Sequence, residues 1–256
     1  ERVFTICKNF RNEGIDKWHN PEFTMMEIYQ AYADYNTMIE LAETLLSRLA
    51  KKLHGKTKIE YQGQEIDFKP PFQKISMFEA IKKYVGINVE KASEKELKRK
   101  LEELNIPLVE GKANMINALF EEGVQSKLIQ PTFIIDYPKE ICPLTKEHRK
   151  NPGLVERFEL FVNGVELANA YSELTDSVEQ ERRLKKQVED RKNSKDFDAN
   201  LEANKVDNDF LDAMKIGLPV LGGIGIGIDR LTMFLTNQPS IRDVILFPFM
   251  KPTEEK

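Results

Sequence analysis

Two cysteines among 256 residues, Cys7 and Cys142, are too few and too far apart to build a disulfide framework or a structural zinc site. The three histidines, His19, His54 and His148, also lack metal-ligand spacing. A reducing cytoplasm is the setting this usage suggests. No apolar run approaches the length of a membrane span, and no basic-then-apolar leader opens the chain. Charge of one sign is not in excess either. With 38 basic against 42 acidic residues there is no global basic field, so any RNA contact must be local. The glycines at 222, 223, 225 and 227 lack G-x-G-x-x-G spacing, because Ile228 stands where the last glycine would fall. Ser-His-Asp and Cys-His arrangements find no specific support. The first residues, already strand-like from Val3 to Cys7 and without an initiator methionine, read as the middle of something longer.

What is present is an organised alternation of strands and helices. Residues 2 to 11 and 22 to 33 read as two antiparallel strands joined by a polar loop holding Gly14, Asp16, Asn20 and Pro21. Residues 36 to 54 repeat Met38, Leu41, Ala42, Leu45, Leu46 and Leu49 at helical spacing, and Gly55 supplies a stop, so this helix packs under the sheet. Residues 56 to 130 change character and look like an insertion without catalytic residues. It has a strand pair around Gln62-Gly63, a capping box from Ser93 to Glu96, and a helical pattern from Ala113 to about Leu128. Thr132 to Ile135 is a short apolar strand. Asn163-Gly164 between residues 157–162 and 165–171 is a strong hairpin signal. Residues 176 to 205 are an exposed, charged helix and connection. Val206 to Ile216 is helical, and a glycine-isoleucine strand leads through Arg230 into a last apolar helix.

Four constellations carry chemistry. Strand periodicity puts Phe23, Met25, Glu27 and Tyr29 on one face, near Arg11, Glu13 and His19, a set that suits a polyphosphate, a purine and a cation together. Glu159 and Glu166 fall on one face of the hairpin. There they either hold a magnesium ion with phosphate oxygens, or one of them pairs with Arg157 or faces solvent. Asn169, Tyr171 and Glu173 share a face as well, but strict alternation sets them opposite Glu166, so a bulge must intervene if both groups serve one site. The bare face of the glycine strand admits a flat ligand or another backbone, and Arg230 beside it either stacks on a base or forms a structural ion pair.

The segment NFRNEGIDKWHNPEFTMMEIYQAYADY resembles motif 2 of the class II lysyl-tRNA synthetases, and GGIGIGIDRLTMF resembles their motif 3. RFELFVNGVELANAYSELTD and IRDVILFPFMKP extend the likeness over nearly the whole chain. The resemblance implies an α+β class II catalytic domain: a mixed, mainly antiparallel sheet flanked by helices, with motif 2 at about 3–35, a helical insertion at about 56–130 and motif 3 at about 219–237. It implies activation of L-lysine by ATP with Mg2+, transfer to tRNA(Lys), and a homodimer in the full-length protein. By motif, Arg11 would contact the α-phosphate and the lysine carboxylate, Glu13 the adenine amino group and His19 the outer phosphates. Phe23 would stack on adenine, with Arg230 on its other face. Glu27, Tyr29, Asn169, Tyr171 and Glu173 would hold lysine, and Glu159 and Glu166 the metal. Motif 1 and an N-terminal anticodon-reading OB-fold do not occur in these residues, so impaired charging and dimerisation of the chain as it stands are expected. A lysyl transferase acting on an elongation factor and a noncatalytic synthetase-derived binding module are the alternative readings.

Overall fold

The computed structural model describes residues 1–12, 14–192 and 205–250. Its centre is a seven-stranded sheet with strand order β1-β2-β9-β8-β7-β6-β5. In chain order the strands are β1 (Arg2–Phe10), β2 (Glu22–Ala31), β5 (Gln73–Ser76), β6 (Thr132–Pro138), β7 (Leu154–Val162), β8 (Val165–Ser172) and β9 (Leu221–Gly227), while β3 (Lys58–Tyr61) and β4 (Gln64–Asp67) form a separate hairpin. All neighbours in the large sheet are antiparallel except β5 and β6.

Period-2 patterning splits this sheet into two faces with different tasks. On one face Ile224 and Ile226 of β9, Ala168 and Ala170 of β8, and Phe158 and Leu160 of β7 meet helix α1 (Tyr35–His54). Met38, Ala42, Leu46 and Ala50 recur every fourth residue along α1 and are buried, as a helix packed under a sheet requires. Asp34 caps its start through the Asn36 and Thr37 amides, and Gly55 ends it at φ 71°. The opposite face is covered at the β5–β7 end by α2 (Met77–Val85), α3 (Glu94–Glu103) and α4 (Lys112–Gly123), which share a core with Ile134, Tyr137, Val155 and Phe161 of the sheet. Over β2, β8 and β9 that face lies open.

The 56–130 segment is thus woven into the main sheet: it contributes edge strand β5, and its helices wall the open face. Neither β5 nor α2 was expected from the residues. Gln73–Ser76 is a four-residue strand whose parallel partner lies in a remote segment, and α2 is short. The capping box at Ser93 and Glu96 forms as expected. The helix expected from Ala113 to about Leu128 ends at Gly123, and a short 3-10 turn, Gln125–Lys127, follows. The strand expected over Thr132–Ile135 runs on to Pro138 through a bulge at Asp136, which has φ 62°. Asn163 and Gly164 both have positive φ, the turn the hairpin needed. Helices α5 (Ser177–Lys192), α6 (Asn208–Lys215) and α7 (Ile228–Thr236) complete the chain, and residues 193–204 lie outside the described residues. No helix among the described residues is long and apolar enough to cross a membrane.

Candidate active site

The open face carries a cleft of about 320 Å³, and ten of the twelve residues singled out from the sequence line it: Arg11, His19, Phe23, Glu27, Tyr29, Glu166, Asn169, Tyr171, Glu173 and Arg230. Glu159 lines an adjoining cavity of about 280 Å³ that shares Glu166 with the cleft. Glu13 lies outside the described residues.

The bulge demanded by alternation exists. Phe161 pairs with Glu166 and Leu160 with Ala168, so Leu167 is the extra residue. That one insertion returns Asn169, Tyr171 and Glu166 to a common face, with Asn169 directly opposite Glu159. Without it the two halves of the site would point to opposite sides of the sheet.

At the β2–β9 end the cleft is built for a cation. The Tyr29 hydroxyl donates to Glu27 Oε2 at 2.9 Å. Burial and then the Glu27 charge push the Glu173 carboxyl up to about 7, because a second negative charge beside the first in a desolvated wall is unfavourable. The Tyr29 phenol is raised by burial and by its bond to Glu27. The glycines of β9 create this end. A Cβ on Gly223 would collide with Glu173 Oε1 and stand 2.7 Å from the Tyr29 ring, and one on Gly225 would stand 2.8 Å from Met25 Cε. The bare strand face thus admits side chains of this chain, Glu173, Tyr29 and Met25.

The other end is basic and aromatic. The Arg11 guanidinium lies 5.2 Å from the centre of the Phe23 ring, within cation–π range. The Asp16 carboxylate caps the Trp18 and His19 amides and bonds His19 Nδ1 at 2.8 Å, which fixes the imidazole on the cleft wall. Arg230 donates from Nη1 to the Glu166 carbonyl at 2.7 Å and lies 3.9 Å from the Glu166 carboxylate. The structural alternative for this arginine is present, since it is tethered within the protein, and it also lines the cleft. Trp18 packs near Tyr61 and Phe234 and covers the loop.

The hairpin carboxylates lie beside the basic end, Glu166 on the cleft wall and Glu159 in the adjoining cavity. Glu159 is ion-paired with Arg157, receives the Tyr137 hydroxyl on Oε2 at 2.8 Å, and accepts from Asn169 Nδ2 at 3.3 Å. Burial, followed by the Glu159 charge, pushes Glu166 up to about 7. Two neighbouring carboxylates, one of them raised by burial and by the charge of the other, fit a hard divalent cation, which is commonly held by one or two carboxylates plus substrate oxygens. Among the described residues there is no group of three or more acidic, histidine or cysteine side chains placed to hold a metal unaided.

Several contributors escaped the sequence reading. Asp229 accepts the Thr24 amide at 2.6 Å and continues the β2–β9 ladder past its last strand pair. An acidic residue on the first turn of a helix gave no hint of that partner 205 positions away. Asn117 and Glu121 of α4 face Glu159 and Glu166 across the second cavity, although the insertion looked inert. Asn20 is buried on the cleft wall, and among the described residues its Oδ1 has no hydrogen-bond partner.

The chain matches the family model described as tRNA synthetases class II (D, K and N) over residues 1–251. It is 50% identical over 266 residues to a lysine–tRNA ligase of Clostridium novyi, covering 99% of this chain and 50% of that protein. A lysine–tRNA ligase of Clostridium tetani is 49% identical, with 99% and 51% covered, and one of Pelotomaculum thermopropionicum is 51% identical, with 99% and 50% covered. The chain spans about half the length of these curated relatives. The cleft, its motifs and the match across 1–251 agree: the chain belongs to the class II tRNA synthetases of the aspartyl, lysyl and asparaginyl group.

Proposed function

We propose that this chain carries the lysine-activating centre of a lysine–tRNA ligase. The observation that carries the reading is the paired carboxylates Glu27 and Glu173 beside Tyr29, a socket for a side-chain ammonium at one end of a cleft whose other end is cationic. An aspartate or asparagine side chain has no cation to offer there, and an apolar one would leave the carboxylate pair without a partner, at a cost of about 1–3 kcal/mol by the general penalty for an unpaired polar group.

With lysine seated by Glu27, Tyr29, Asn169, Tyr171 and Glu173, its carboxylate points toward Arg11. A lysine carboxylate oxygen attacks the ATP α-phosphorus, the bond to the β-phosphate oxygen breaks, and pyrophosphate leaves. In the second step a tRNA ribose hydroxyl attacks the lysyl carbonyl carbon and AMP departs. Arg11 holds the α-phosphate and the carboxylate together, His19 reaches the outer phosphates, Glu13 the adenine amino group, and Phe23 and Arg230 sandwich the base. Catalysis of this kind is positioning plus charge stabilisation. Glu159 and Glu166 would hold Mg2+, which would supply positive charge to offset the phosphate oxygens. A homodimer and tRNA(Lys) complete the proposal. Edge strand β1 presents Val3, Phe4, Ile6 and Phe10 to solvent, an apolar surface that a second subunit would cover.

ATP–pyrophosphate exchange in the intact protein tests the reading: exchange should require lysine and be unsupported by aspartate or asparagine. Exchange driven by either of those amino acids would overturn it.

A further inference from the structure

Arg157 is a buried cation that no step above uses. Its side chain is only 15% exposed and lies between two phenol rings, 4.4 Å from the Tyr137 centroid and 5.7 Å from that of Tyr171. Nε donates to Asn169 Oδ1 at 3.2 Å, Nη2 pairs with Glu159 Oε1, and Nη1 faces the Cys142 sulfur at 3.1 Å. One planar group therefore touches both a carboxylate assigned to the metal and an amide assigned to lysine.

The consequence is geometric. Asn169 gives Nδ2 to Glu159 Oε1 and takes Arg157 on Oδ1, so its amide orientation is fixed from both ends. Glu159 Oε1 is occupied by Arg157 and Asn169, and Oε2 carries only the Tyr137 hydroxyl. A carboxylate oxygen has about two acceptor sites, so Oε2 is the atom left to face a cation.

We infer that Arg157 is a positioning residue that holds Glu159 and Asn169 as one array, so that the magnesium requirement and lysine recognition are set by the same guanidinium. This rests on the proposed lysine-activating function. A lysine in its place would keep the charge but not the fork: a single ammonium cannot reach Glu159 and Asn169 while lying flat between two rings.

The test is Arg157→Lys in the intact protein, read by lysine-dependent exchange. The lysine KM should rise at least tenfold, and the Mg2+ concentration for half-maximal rate at least threefold, with the ATP KM at saturating Mg2+ within twofold of the unsubstituted value. A variant that melts earlier but keeps both the lysine KM and the Mg2+ requirement overturns the inference and leaves Arg157 a packing residue. A second measurement needs no substitution. In protein labelled with 15N-arginine, the Arg157 Nε–H resonance should shift on adding lysine and again on adding Mg2+ with a nonhydrolysable ATP analogue. A signal that ignores both, in a sample where calorimetry records lysine binding, overturns it too. Failure of the underlying function is a different result: no lysine-dependent exchange in the unsubstituted protein.

Discussion

The sharpest consequence of the cleft is a pH dependence of lysine binding with no nucleotide present. Glu173 is pushed up to about 7 by burial and by Glu27, so near neutrality it holds a proton that an ammonium ligand must displace. About a tenth of such a group is ionised at pH 6 and about nine-tenths at pH 8, since each pH unit changes the ratio tenfold. The lysine side chain stays charged throughout this range. If only the ionised carboxylate accepts it, the association constant should rise about tenfold from pH 6 to pH 8, or about 1.4 kcal/mol. Titration calorimetry measures the affinity. Repeating it in buffers of different ionisation enthalpy counts the proton released, which should approach one at pH 6 and vanish at pH 8. Glu173→Gln should flatten the curve and weaken lysine at pH 8 by a few kcal/mol at most, the worth of a charge-assisted bond. An affinity that is level between pH 6 and pH 8, with no proton released, would refute both the carboxylate pair and its role.

The same carboxylates predict that the ligand-free chain is less stable at pH 8 than at pH 6. Glu166 and Glu173 both have raised values, so the folded state retains protons that the unfolded chain has lost, and stability falls as pH rises from about 4.5 to about 7; thermal melts at equal ionic strength check this. Gly223→Ala forces Glu173 and Tyr29 aside, so lysine affinity should drop at least tenfold while the affinity for a nonhydrolysable ATP analogue changes less than threefold, both by calorimetry. Arg11→Ala should abolish adenylate formation yet leave the urea midpoint nearly unchanged, because Arg11 sits on an exposed stretch; an unfolded variant would assign it to structure. Asp229→Ala leaves the Thr24 amide unpaired and should cost about 1–3 kcal/mol in urea unfolding.

How much of this was legible in the sequence depended on range. Elements specified by their own residues were read closely: α1 by its four-residue repeat and the Gly55 stop, the β7–β8 turn by Asn163-Gly164, and α3 by its capping box. The cleft was legible because period-2 spacing decides a face without further knowledge, and the pocket end of β2 follows from Phe23, Glu27 and Tyr29 alone. The losses came from partners distant in the chain. β5 is a strand only because β6 is beside it, and Asp229 matters only because Thr24 needs an acceptor. The bulge at Leu167 is an intermediate case: two sets of functional residues on opposite parities required it, although no glycine or proline announced its place.

The electrostatics of the cleft follow one rule applied twice. Glu27 with Glu173, and Glu159 with Glu166, are carboxylate pairs in which one member is raised by the charge of the other. Each pair disfavours the ligand-free fold above neutrality, and under the proposed function each would be relieved by a cation of different shape: an ammonium on a flexible stem for the first, a compact divalent ion carrying phosphate oxygens for the second. Arg157 lies beside the second pair, and its guanidinium is already engaged by Glu159, Asn169 and Cys142. That internal cation engages Glu159 Oε1 while Oε2 receives the Tyr137 hydroxyl, so it orients this carboxylate and offsets part of its charge. The first pair has the Tyr29 hydroxyl on Glu27 and, among the described residues, no ion-paired cation. Discrimination should therefore be strictest at the lysine end, where the substrate alone supplies the missing charge, and loosest at the metal end, where Mn2+ should replace Mg2+ in the exchange assay with little loss.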